Sequence, residues 1–144
     1  MPKKEYLCPH QKCMTLLNPG TKVILLARNS ERRQGLILLS PQEGNYSVIM
    51  EEGFLRDGER VDLRCPSCGR SLEYEKDKAF ANVLQKCGDI VTLIVFSRIK
   101  GEHATFKIHP DGKVVNYGTH SDFIDIPEMT DFASFRGPKN TLGA

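Results

Sequence analysis

Five cysteines punctuate the chain, and four of them fall in two close pairs, each opened by Cys-Pro. The first is Cys8-Pro9-His10-Gln11-Lys12-Cys13 and the second is Cys65-Pro66-Ser67-Cys68-Gly69. A tight turn between neighbouring cysteines aims both sulfurs at one point. Two such turns supply the four soft ligands that zinc takes in a tetrahedron. In the second turn Pro66 stiffens the entry, and Gly69 lets backbone N–H groups turn toward the thiolates and offset their charge. The first turn is wider: Gln11 stands where a Cys-x-x-Cys turn would put its second ligand, and Cys13 follows two residues later. Cys8, Cys65 and Cys68 are therefore the expected ligands, completed by Cys13 or, alternatively, by His10. Four thiolates leave no open coordination position, so a metal held this way stabilises a fold and does not catalyse a reaction.

This pair of turns resembles the zinc-ribbon class of metal-binding folds, in which two such turns from β-hairpins clamp one structural zinc. The resemblance covers the two turns and the strands beside them, and it implies a zinc held between residues near 8 and residues near 68. The Cys-Pro-x-Cys-Gly turn also resembles the iron-holding turns of rubredoxins. The long separation of the two pairs and the absence of tryptophan set this chain apart from them. Zinc is thus the expected cofactor, with iron behind it. A redox dithiol at Cys65 and Cys68, flanked by Arg64 and Arg70, is a further alternative.

The remaining candidates carry less chemistry. Cys87 reads as a packing residue. His103, His109 and His120 are too scattered to define a second metal or catalytic set, and read as surface or hydrogen-bonded histidines. Arg28, Arg32 and Arg33 form a basic loop that could meet phosphates, although Glu31, Glu51 and Glu52 dilute its field. No phosphate-binding glycine loop, Gly-x-Ser-x-Gly elbow or His-Glu-x-x-His helix occurs. An enzyme is therefore not the favoured reading.

A chain of 144 residues is long enough to bury a core without depending wholly on a metal. A net charge of +2 does not by itself demand nucleic acid or an anionic membrane. The apolar runs are too short to span a bilayer, and the charged start Met-Pro-Lys-Lys-Glu-Tyr has no apolar signal core. A cytoplasmic location is expected. Thiols stay reduced there, which favours metal ligation over disulfides.

These groups must be positioned by short elements. Apolar runs at 23–27, 36–39 and 46–50, separated by turn-forming segments, read as strands, and 60–64 reads as an extended segment entering Cys65. Asp77 as a cap, Phe80, Val83 and Leu84 on one face, and Gly88 as a terminator predict a short helix over 76–88. Residues 90–98, 103–109 and 114–117 predict a three-stranded antiparallel meander, with turns at Lys100-Gly101 and Pro110-Asp111-Gly112. Beyond residue 120 periodicity fades, although Phe123, Ile124, Ile126, Phe132 and Phe135 could dock that segment on the body or on a partner.

The expected architecture is mainly β with one short helix: a zinc-ribbon-like β region over 1–75, the helix over 76–88, the meander over 89–120 and an irregular tail over 121–144. The expected function is a non-enzymatic, zinc-stabilised module that binds a protein partner as an accessory or regulatory subunit. A nucleic-acid-associated zinc ribbon using Arg28, Arg32 and Arg33 ranks second, and a small iron or dithiol redox protein third.

Overall fold

The computed structural model describes residues 4–121. Within them the chain is mainly β. In order the strands are β1 (Lys4–Leu7), β2 (Val23–Arg28), β3 (Gln34–Leu39), β4 (Val48–Ile49), β5 (Asp62–Arg64), β6 (Phe80–Cys87), β7 (Ile90–Ser97), β8 (Thr105–Ile108) and β9 (Val114–Tyr117). They build two antiparallel sheets, a five-stranded one in the order β1-β6-β7-β8-β9 and a four-stranded one in the order β4-β3-β2-β5. The segment holding Phe123, Ile124, Ile126, Phe132 and Phe135 lies outside the described residues. No helix among the described residues is long and apolar enough to cross a membrane.

Alternation explains the smaller sheet. Along β2, Val23, Leu25 and Ala27 are buried while the residues between them are partly open, as a strand with one covered face requires. The inward face of β3 contributes Ile37, and that of β5 contributes Leu63. These pack with Tyr6, Ala81, Val83 and Ile94 of the larger sheet in one apolar cluster, so the two sheets lie face to face. Gly35 of β3 passes beneath the Phe54 ring, where an added Cβ would meet ring carbon Cε1 at 3.3 Å.

The meander over 89–120 forms as β7, β8 and β9, each pairing with the next. The helix expected over 76–88 does not form: Phe80–Cys87 is β6, paired with β1 on one side and β7 on the other. Phe80, Val83 and Leu84 fit helical spacing. However, a central strand covered on both faces shows no polar alternation and mimics such a pattern. Leu84 joins the core on one face of the sheet, whereas Ala81 and Val83 join the core on the other. Asp77 still acts on nearby backbone, but in a turn: its carboxylate accepts from the Ala79 N–H at 3.0 Å. Gly88, at φ 63°, begins the two-residue turn between Cys87 and its partner Ile90, the position at which such hairpins favour glycine.

The N-terminal strand β1 also belongs to the larger sheet, at its edge beside β6. The first cysteine turn therefore hangs from one sheet, after β1, and the second hangs from the other, after β5.

Candidate metal centre

Each cysteine pair is held by a short antiparallel closure. Around the first, Leu7 bridges Leu16 and the Cys8 N–H donates to the Thr15 carbonyl at 3.0 Å. Inside the loop, the N–H groups of Cys13 and Met14 both donate to the His10 carbonyl, at 2.9 and 3.0 Å. That turn absorbs the wider cysteine spacing and brings Cys13 back toward Cys8. Met14 then takes a left-handed φ of 53° to rejoin the closure. Around the second pair, Arg64 bridges Ser71, and the Cys65 N–H donates to the Arg70 carbonyl at 3.0 Å. The Gly69 N–H donates to the Cys65 carbonyl at 2.9 Å, with Gly69 at φ 74°, a conformation that glycine adopts without a steric penalty.

The result is one cluster of four sulfurs. The Sγ atoms of Cys8, Cys13, Cys65 and Cys68 all lie within 4.8 Å of one another. Cys8 is 3.8 Å from Cys68, and Cys13 is 3.8 Å from Cys65. A tetrahedron with metal–sulfur bonds of about 2.3 Å has sulfur–sulfur edges of about 3.8 Å. No pair is a disulfide. The four cysteines can hold one metal ion, with Cys8 and Cys65 fully buried, Cys13 half-buried and Cys68 exposed.

The local electrostatics fit that role. Burial pushes the Cys8 and Cys65 thiols up, against the backbone N–H groups that donate to them. One of those donors is the Ser67 N–H, 3.3 Å from the Cys65 sulfur. At Cys13 the Thr15 hydroxyl, 3.1 Å from Sγ, is the main influence holding the thiol down to about 6. Four thiolates this close repel one another, so a cation between them is what allows all four to ionise together.

The His10 imidazole is not among the clustered ligand atoms. Its Nε2 donates to the Ser71 carbonyl at 3.0 Å, linking the first turn to the segment that leaves the second. Cys87 is half-buried at the end of β6. His109 closes the Pro110-Asp111-Gly112 turn through its N–H, 2.8 Å from the Lys113 carbonyl. His103 stacks on Tyr46, with ring centroids 4.4 Å apart, and its N–H donates to His120 Nδ1 at 2.9 Å.

The basic loop is held by backbone hydrogen bonds to one side chain and by one ion pair. The buried Asn29 carboxamide organises it, accepting from the N–H groups of Glu31 and Arg33 at 3.0 and 2.9 Å. Arg33 pairs with Glu51 at 3.2 Å and lies over the Phe54 ring. Arg28 is the register partner of Asp62 in β5, while Arg32 is exposed at a left-handed φ of 66°.

Sequence reasoning did not anticipate a second polar cluster centred on Glu43. From the loop between β3 and β4, its carboxylate receives Lys4 at 2.5 Å, Gln85 at 2.9 Å and Lys107 at 3.2 Å. Burial raises the Glu43 pKa, but these donors outweigh burial and bring it down to about 2. Gln85 also donates to the Tyr6 hydroxyl at 2.8 Å, which in turn donates to the Pro41 carbonyl at 2.5 Å. Burial pushes that hydroxyl up to about 12, so it remains a donor. The one signal for this cluster in the sequence was Gln85, an amide following the apolar run of β6, because a buried amide requires partners.

No protein-family model matches this chain, and no curated protein or solved structure matches it either. The site's own chemistry must carry the functional reading.

Proposed function

We propose that this protein is a non-catalytic, zinc-stabilised β module of zinc-ribbon-like construction that acts by binding a protein partner, as an accessory or regulatory subunit. The observation that carries the reading is the convergence of Cys8, Cys13, Cys65 and Cys68 from two different sheets. An ion held by all four has no open position for substrate or water, so its contribution is to fix one sheet against the other. Zinc is the metal assigned, because it accepts closed tetrahedral thiolate sites and brings no redox chemistry of its own.

The outward face of the smaller sheet supplies a surface for such binding. In register across β2, β3 and β4 lie Ile24 beside Leu38, Leu26 beside Leu36, and Leu38 beside Ile49. Leu36 and Ile49 are each 54% exposed. Contiguous exposed apolar side chains of this kind mark interaction surfaces more often than scattered ones do.

The test is quantitative affinity isolation from the native cells, comparing the wild type with a Leu36→Lys/Ile49→Lys variant that keeps its metal and its melting temperature. A stoichiometric protein partner, reduced at least tenfold by the variant, is the expected result. A recovered set unaffected by the variant would remove this surface from the account.

A further inference from the structure

The two sheets do not meet completely. Between them lies a cleft of about 190 Å³. Its walls come from both sheets, with Leu25, Ile37 and Leu63 facing Val83, Ile94 and Phe96. Tyr46 and His103, stacked on each other, also border it. No cysteine lines it, so it is distinct from the metal centre. An apolar cavity of about 150 Å³ is enough to stay dry and admit a benzene ring. Side chains in well-packed cores leave few voids larger than a water molecule.

The polar groups around the cleft indicate what it would hold, because they already have partners. The Tyr6 hydroxyl is engaged with Pro41 and Gln85. Lys4, Gln85 and Lys107 surround the Glu43 carboxylate. Ser97 Oγ donates to Glu102 at 2.5 Å and accepts from the Ile99 N–H at 3.1 Å. The Tyr46 hydroxyl is shared between Thr105 and the Tyr117 carbonyl. The two cations that line the cleft, Arg98 and Lys100, are paired with Glu73 at 3.2 Å and with Asp57 at 2.7 Å. A charged ligand would thus find its counter-charge already taken, and a strongly polar ligand would compete with bonds already made. We therefore infer that this inter-sheet cleft is a binding site for a neutral, ring-sized apolar molecule, selected by shape and by its mainly apolar walls and not by a charged group. This inference is independent of the protein-binding role proposed above.

The experiment uses the metal-loaded full chain and follows its methyl NMR signals during titration with indole, cyclohexanol and octanoate. Saturable shifts at Leu25, Val83 and Ile94 with the two neutral rings, and at least tenfold weaker effects with octanoate, are expected. Val83→Phe, which places a ring in the cleft, should weaken indole binding at least tenfold while leaving the metal content unchanged. Should that variant fail to fold, Val61→Leu is a milder filling of the same space and is read in the same way. Absence of saturable shifts up to the solubility limit would overturn the proposal. So would a preference for octanoate, or indole binding that is undiminished in the filled variants.

Discussion

The Cys8 and Cys68 sulfurs lie 3.8 Å apart although 60 residues separate them in the chain. One follows the edge strand of the larger sheet and the other follows a strand of the smaller sheet. Their meeting therefore adds a tie between two sheets that are also joined by side-chain packing, by the Glu43 cluster and by hydrogen bonds such as the Val61 N–H to the Arg98 carbonyl at 2.8 Å. A bond through a common ion would close a long loop carrying four strands of the fold. Such closures stabilise chiefly by restricting the unfolded chain.

Cys65→Ser should abolish stoichiometric metal binding and lower the melting temperature by about 10 °C or more, since metal binding and folding are coupled in such sites. His10→Ala should keep the metal, because its imidazole serves the Ser71 carbonyl, and should cost only about 1 kcal/mol. Elemental analysis and thermal melting of the two variants check both statements. Loss of metal from His10→Ala would make the imidazole a ligand after all.

Glu43 should make the fold acid-sensitive in a defined window. Its folded pKa of about 2 lies below its ordinary value of 4.5. The unfolded chain therefore takes up the proton first as pH falls. The stabilisation is complete above about 4.5 and is lost progressively toward about 2. Glu43→Gln should cost about 2 kcal/mol at pH 7, after allowing for solvent screening at the lysines. Urea unfolding of both proteins should show that difference shrinking as the pH is lowered through this window. A difference that stayed constant with pH would contradict the ionic role.

Gly118 should tolerate no side chain. Its φ is 98°, and a Cβ there would lie 2.1 Å from the His103 carbonyl oxygen and 2.6 Å from the Tyr46 hydroxyl. Gly118→Ala should therefore destabilise the fold by about 3 kcal/mol or more, with metal content unchanged. Gly44→Ala is the control: φ is 84° but nothing lies within 4 Å, so only the backbone cost of about 1 kcal/mol is expected. Equal losses at the two positions would show that the close approach to His103 is not what matters.

The arginine loop should bind nucleic acid only weakly. Arg33 is engaged by Glu51, and Glu31 and Glu52 dilute the field of Arg28 and Arg32. Anisotropy titrations with single-stranded RNA and duplex DNA at low salt should give Kd values weaker than about 10⁻⁴ M. Tight, salt-dependent binding lost on Arg28→Glu/Arg32→Glu/Arg33→Glu would move the protein into the nucleic-acid class.

Much of this was legible in the sequence because it is local. Cys-Pro turns, Pro110-Asp111-Gly112 and the short apolar run over Val23–Ala27 each depend on residues within a few positions of one another. The error at Phe80–Cys87 has a physical origin. Once both faces of a strand are covered, periodicity no longer separates it from a helix, and Asp77 and Gly88 punctuate turns as readily as helix ends. The Glu43 cluster was illegible for a different reason. Its donors Lys4, Gln85 and Lys107 come from three strands, and only tertiary pairing brings them to one carboxylate.

The most direct test of the central claim is metal analysis of the purified, untagged protein, with thiols titrated before and after a chelator. The account predicts one zinc per chain, with four thiols released by the chelator and a melting temperature that falls as they are released. One iron per chain would redirect the reading to electron transfer. A metal-free protein whose five cysteines react freely from the start would contradict the clamp itself.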